Sequence, residues 1–202
     1  MSAAPPSRRT YAPELTRRAI IDSALALFEA NGFHATSVQA VADDAEVTKG
    51  AFYHHFDSKE ELVHIIHDEL LDHMLGDLRD ILERDDGPAE QLRAVIRATV
   101  RATIRFRSHV AVYHQERRFL SGARSDAVNR KRDEMLDGME GILRAGIEDG
   151  AFRTDIDVRV ATCGISGMVA STHQWLDATS DGDPERVADL LADMVLGGLV
   201  RA

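Results

Sequence analysis

Apolar residues return every third or fourth position along nearly the whole chain, the period of helices that bury one face. From Pro13, which suits a first helical turn, the residues Ile20, Ile21, Ala24, Leu25 and Phe28 keep that period until Asn31-Gly32 stops it. Two short helices are predicted next: Thr36 or Ser37 caps one that runs through Val38, Val41 and Ala42, and Thr48 caps another that ends near His55. Ser58-Lys59-Glu60-Glu61 has the form of a capping box and opens a long helix carried by Leu62, Ile66, Leu70, Leu75, Leu78 and Leu82. Further helices are predicted over residues 88–107, 125–149, 157–178 and 184–202, with a broken helical stretch over 108–120. No strand alternation and no internal repeat interrupts the pattern. The expected fold is all-α, with about nine helices arranged as an N-terminal three-helix head and a C-terminal helical bundle.

The second and third helices are each under three turns and are joined by a turn of three or so residues at Ala45-Glu46-Val47. That is the helix-turn-helix arrangement, in which the second short helix enters the major groove of DNA. The chemistry of VTKGAFYHHF, Val47 to Phe56, suits it. Thr48 brings a hydroxyl and Lys49 a mobile positive charge. Gly50 and Ala51 leave room for close approach, and Tyr53 and His54 offer donors to phosphates. Phe52 and Phe56 are expected to face a small core with Phe28, Val38 and Val41. The competing reading of the same residues is a short amphipathic helix that only packs.

From Arg17 to Leu62 the sequence resembles the DNA-binding domain of the TetR family of transcriptional regulators. The resemblance is carried by AIIDSALALFEANGFHATSVQAVADDAEVTKGAFYHHFDSKEEL. It implies a homodimer whose two heads each read one half-site of double-stranded operator DNA, and a variable helical domain that binds a small effector. It also implies a division into a flexible arm (1–14), a helix-turn-helix domain (15–60) and a ligand-binding and dimerisation domain (61–202). Thr48, Lys49, Gly50, Tyr53, His54 and Lys59 match the family positions that usually meet DNA, and Arg17 and Ser37 complete the candidate interface. In one place the chain departs from the family pattern: Glu46 follows Ala45 where glycine is usual. If that residue keeps a positive φ, its side chain costs roughly 1 kcal/mol and sets a carboxylate near the phosphates.

Charge changes the picture in two ways. The formal net charge is −10, and residues 1–60 hold six basic against eight acidic residues, so DNA affinity has to come from local placement rather than overall attraction. Arg8, Arg9, Arg17 and Arg18 all lie before residue 19, where an arm can reach the minor groove or simply remain solvated. Residues 97–132, in contrast, hold ten basic residues and two acidic ones. Arg97, Arg101 and Arg105 form one stripe, which either meets an anionic partner or is matched internally by the acids of the fourth helix, Asp68, Asp72, Asp77 and Asp80 among them.

The segment VYHQERRFL, Val112 to Leu120, is similar to the corresponding part of TetR-type regulators of fatty-acid and steroid breakdown, whose effectors are acyl-CoA thioesters. On that resemblance Arg117, Arg118 and Arg124 are candidates for the phosphates, with Phe106, Val110, Tyr113, Met139, Met168 and Trp175 against the acyl part. The alternatives are a regulator of efflux or stress genes that responds to an uncharged or cationic hydrophobic compound, and a helical scaffold that binds no DNA.

Other chemistry has little support. His64, His67, Asp68, Asp72 and His73 recur at helical spacing, yet histidines on a long polar face are expected to be solvated, and no metal or cofactor is called for. Gly164-Ile165-Ser166-Gly167 lacks the spacing of a nucleophile elbow, and its small residues are expected to permit close helix packing. Cys163, the only cysteine, has no evident activating base, so no enzymatic function is expected. With no disulfide framework, no signal-peptide core and no apolar run near ~18 residues, a cytoplasmic location away from membranes is expected.

Overall fold

Where the sequence offers capping hydroxyls and carboxylates, the chain enters helices. A computed structural model describes residues 13–116, 120–176 and 183–200. Among these the helices are α1 (Pro13–Asn31), α2 (Val38–Asp44), α3 (Lys49–His55), α4 (Lys59–Leu82), α5 (Pro88–Arg105), α6 (Arg107–Glu116), α7 (Gly122–Glu148), α8 (Val158–Ala170), α9 (Thr172–Trp175) and α10 (Pro184–Leu199). No strand occurs among the described residues, and α9 is a single turn. No described helix is long and apolar enough to cross a membrane. The chain divides into two units between Leu62 and Val63.

The first unit is held by aromatic packing. Ile20, Ile21, Ala24 and Phe28 of α1 are fully buried with Val41, Ala42 and Phe52, and Phe56 joins them. Phe28 meets Phe33 edge-on at 5.5 Å, and Phe52 lies 5.7 Å from Phe56. Ser37, rather than Thr36, caps α2: its Oγ accepts from Ala40 N at 3.0 Å. Thr36 is buried and donates its hydroxyl to Gly32 O at 2.9 Å, which fastens the end of α1 to the start of α2. At α4 the capping box forms in part. Ser58 Oγ accepts from Glu61 N at 3.3 Å, and the Glu61 carboxylate accepts from Asp57 N, one residue before the serine.

In the second unit α5 is central and packs against α7, α8, α9 and α10. Leu92, Ile96 and Val100 of α5 share a core with Leu143 of α7, Val169 of α8 and Ala188 and Ala192 of α10. Among the described residues the basic stripe is matched internally at Arg97 and Arg101, though not at Arg105, and by a different helix from the one expected. Arg93 pairs with Asp193 at 2.7 Å, Arg97 with Asp189, and Arg101 with Glu185 at 3.3 Å, a ladder between antiparallel α5 and α10. Two acids of α4, Asp68 and Asp72, are answered instead from α7 by Lys131, and the basic Arg79 of α4 is held by Glu134 of α7. Partial burial works against the Lys131 ammonium, yet the two carboxylates raise its pKa above the ordinary value.

Three boundaries differ from those the sequence predicts. Residues 107–116 form one unbroken helix, α6, after α5 stops at Phe106. Helix α7 starts three residues early because Gly122 adopts a φ of 57°, a turn that glycine makes without strain. The predicted helix over 157–178 breaks at Ser171. The Ser171 and Thr172 hydroxyls donate to Met168 O and Val169 O at 2.8 and 2.7 Å, local bonds that compete with the helical ladder.

Candidate functional site

In the first unit the turn between α2 and α3 sets the orientation of α3. Thr48 Oγ1 accepts from Ala51 N at 3.0 Å and so starts the helix. Phe52 then points into the core, which leaves Thr48, Lys49, Gly50, Tyr53 and His54 on the exposed face. Five of the candidate DNA residues are thus brought together on one side of a two-turn helix. Gly50 is informative. Among the described residues a Cβ built there would meet only Thr48 Oγ1, at 3.7 Å, so none of them requires glycine at that helical position. The residue costs up to about 1 kcal/mol of helix propensity with no return from within the chain.

Three other candidates are placed differently. Ser37 is exposed at the start of α2, where it serves as the cap. Arg17 is half-buried, its guanidinium 5.3 Å from the centre of the Phe56 ring. Lys59 turns its ammonium inward, donating to Phe33 O and to Thr36 O at 2.7 Å while lying 4.1 Å from the centre of the Phe33 ring. It acts as a clasp on the loop between α1 and α2, a role that its match to a DNA-facing family position did not announce. Arg8 and Arg9 lie outside the described residues.

Glu46 has a φ of 54° and is the one non-glycine residue with positive φ among those described. Glu46→Gly is therefore expected to stabilise the protein by about 1 kcal/mol, strain relief being partly offset by the freer unfolded chain. Urea denaturation of the two proteins checks this, and an unchanged or lowered midpoint would contradict it.

The second unit contains a cavity of about 400 Å³. Leu70 and Leu71 of α4, Ile96 of α5, Val110 of α6, Leu136 of α7 and Val169 of α8 make it predominantly apolar. Thr99, Thr103, Tyr113 and Ser166 add hydroxyls, and Arg132, Arg159 and His114 supply positive charge or N–H donors. No described residue lining it is a carboxylate. Arg159 Nη1 donates to Glu140 at 3.0 Å, and Arg144 shares the same carboxyl at 2.9 Å. The Arg159 guanidinium, followed by that of Arg144, holds Glu140 below the usual carboxylate range, and the same bond raises Arg159. Arg132 pairs with its neighbour Asp133 at 3.0 Å.

Of the candidate effector residues, Val110, Tyr113 and Met139 line this cavity. Phe106 does not: its ring lies against His73 at 4.7 Å and His109 at 5.5 Å. Met168 packs on the core, and Trp175, in the single turn after the Ser171 break, is 56% exposed. Arg124 sits two turns of α7 before Arg132 and does not line the cavity, while Arg117 and Arg118 lie outside the described residues. The arginines that do line the cavity are Arg132 and Arg159. Arg132 belongs to the basic segment legible in the sequence, whereas Arg159 carried no signal, its partner lying in another helix. His67 also overturns its expectation: it is fully buried, its ring 5.0 Å from Tyr113, rather than solvated.

A last feature is apolar and faces outward. Val160, Leu190 and Met194 are 68, 58 and 66% exposed. Gly164, Gly167, Gly197 and Gly198 are exposed on the same two helices, and a Cβ at any of them would meet nothing within 4 Å. The close packing expected of Gly164 and Gly167 is therefore not made with any of the described residues.

Comparison with known proteins places this architecture among relatives. Residues 20–66 match the family described as "Bacterial regulatory proteins, tetR family", and residues 85–199 match "Tetracyclin repressor-like, C-terminal domain". The HTH-type transcriptional repressor KstR2 of Rhodococcus jostii (strain RHA1) is 31% identical, over 96% of this chain and 96% of its own. The structure of the ketosteroid transcriptional regulator KstR2 of Mycobacterium tuberculosis superposes with a TM-score of 0.86 at 29% identity, over 92% of this chain and 95% of that one. AibR, solved in complex with isovaleryl coenzyme A and operator DNA, superposes with a TM-score of 0.80 at 25% identity, over 89% of this chain and 97% of that one.

Proposed function

The chain belongs to the TetR family of bacterial transcriptional regulators, and on that premise we propose that it represses genes by binding a palindromic operator as a homodimer and is released by an acyl-CoA thioester. Members of the family are regulators rather than enzymes. The effector class rests on one observation above all: an apolar cavity bordered by Arg132 and Arg159 with no carboxylate among its described lining residues. Such a lining favours an amphipathic anion and disfavours the cationic effector of the alternative reading, whose charge would meet two guanidiniums. The similarity to AibR, seen with isovaleryl coenzyme A, supports the same class.

For DNA, the outward residues of α3 supply the contacts: Lys49 and Tyr53 to phosphates, with Gly50 allowing the helix backbone to come close. Two heads on a two-fold axis call for half-sites about 34 Å apart or a multiple of that. The homodimer would form through the last two long helices, α8 and α10, whose exposed Val160, Leu190 and Met194 support that reading. Effector occupancy is passed on through α4, whose first turn belongs to the head and whose Leu70, Leu71 and Met74 line the cavity. A hundredfold preference of the effector for the DNA-incompetent state supplies about 2.7 kcal/mol of coupling, and operator DNA weakens effector binding equally.

Two variants test the DNA reading. Lys49→Ala should weaken operator binding and reduce the slope of log affinity against log salt by about one. Gly50→Ala should raise stability by up to about 1 kcal/mol while lowering operator affinity, an opposition of sign that a residue of merely structural importance would not give. Titrations at two salt concentrations, with thermal melts alongside, read both. Unchanged affinity in both variants would overturn the assignment of α3. For the effector, acyl-CoAs should release DNA at lower concentration than the free acids, and equal potency would remove the role given to Arg132 and Arg159.

A further inference from the structure

A narrow space of about 30 Å³ adjoins the cavity. Met74, Thr99, Met135 and Met139 line both. Asp77, Ile81 and Ala98 line the narrow space and also an open groove of about 500 Å³ between α4 and α5. The three therefore stand in series as cavity, constriction and groove. The constriction has room for about one water. Three of its walls are methionines, unbranched thioether side chains that change rotamer more readily than branched ones and so yield to a passing chain.

The groove differs in chemistry from the cavity. His73, Asp77, Asp80 and Arg84 form its α4 side, and Arg101 and Arg105 its α5 side. Most of these charges are already committed. Asp77 lies 3.6 Å from His73, Arg84 is bonded to Asp86 at 3.0 Å, and Arg101 to Glu185 at 3.3 Å. Arg105 has no carboxylate partner among the described residues; its guanidinium lies 5.2 Å from the centre of the Phe106 ring. Asp77, which has His73 beside it, lines both the narrow space and the groove, so within the groove the α4 side repels an anion and Arg105 on the α5 side attracts it.

We propose that the effector carries a second anionic group, a carboxylate at the far end of its acyl part, which passes the methionine constriction and is received by Arg105. The inference rests on the thioester reading above and narrows it to the mono-thioesters of dicarboxylic acids, with one charged end at Arg132 and Arg159 and the other in the α4–α5 groove.

Calorimetry on the full-length protein compares octanoyl-, decanoyl- and dodecanoyl-CoA with the mono-CoA thioesters of the corresponding dicarboxylic acids. Once the chain is long enough to clear the methionines, the dicarboxylic member should bind about tenfold more tightly than its partner, the gain of one charge-assisted hydrogen-bonded contact. Arg105→Gln should bring the two series to parity. Parity in the unaltered protein would overturn this proposal and leave the thioester reading standing. A preference that survives Arg105→Gln would also overturn it, as would tighter binding of an ω-amino thioester, which points to Asp77 and Asp80 instead. Failure of every thioester to bind would remove both readings together.

Discussion

Replacing Val160 or Met194 by Asp is expected to yield a monomer and to cost operator affinity between about a hundredfold and ten-thousandfold, the factor lost when two linked heads bind separately. Both residues are about two-thirds exposed, so neither substitution disturbs the interior. The size of the effect comes from what surrounds them. Four helical glycines, Gly164, Gly167, Gly197 and Gly198, each cost up to about 1 kcal/mol against alanine and have no neighbour among the described residues to justify it. Their usefulness therefore lies in the approach of another molecule, and an inserted carboxylate would be desolvated there without a partner. Sedimentation gives the oligomeric state and operator titration the affinity. A variant that stays dimeric, or a monomer that binds the full operator as well as the parent, would refute the proposed interface.

The second large effect concerns stability. Gly146 lies in the last turns of α7, buried, with the Phe152 ring laid over it. A Cβ at this position would come within 2.1 and 2.2 Å of two ring carbons and 2.9 Å of a third. The ring has no easy escape, because Phe152 is itself 1% exposed and its backbone N–H donates to Gly146 O at 2.8 Å. Gly146→Ala should therefore lose about 3 kcal/mol, the upper part of the range for overpacking, and lower Tm by about 10 °C. Gly141→Ala is the control. It sits in the same helix, exposed and with nothing within 4 Å, and should be neutral or stabilising by up to about 1 kcal/mol. If the two melt alike, the packing argument is wrong.

What could be read from the sequence was what neighbouring residues decide between themselves. The Thr48 cap, the inward Phe52 and the outward Lys49 and Tyr53 follow from local spacing, and the fold class from the helical period, whereas local spacing leaves the cap of α2 open between Thr36 and Ser37. The cavity was legible only in part. Val110, Tyr113 and Met139 lie on faces that the period marks, but Trp175 was misplaced because two hydroxyls interrupt α8 at Ser171, a competition that propensity alone does not resolve. Arg159 and Glu140 meet across helices, as do Lys59 and the carbonyl of Phe33, and such meetings depend on packing angles that no run of residues encodes. The basic stripe showed the same limit: its periodicity was plain, but not which acidic helix would face it.

That stripe also bears on how the bundle keeps its alignment. The pairs Arg93 with Asp193, Arg97 with Asp189 and Arg101 with Glu185 repeat at the same four-residue interval on both helices. Sliding α10 by four residues, about 6 Å, would set Arg97 against Asp193, Arg101 against Asp189 and Arg105 against Glu185, again three pairs. The charges are thus degenerate between two alignments and choose neither. The choice falls to the buried face of α10, because the same slide would bring Leu196 to the place of the fully buried Ala192. Of the four arginines, Arg105 is the one this alignment leaves over, so a methyl-sized packing decision in the core is what makes a guanidinium available at the surface.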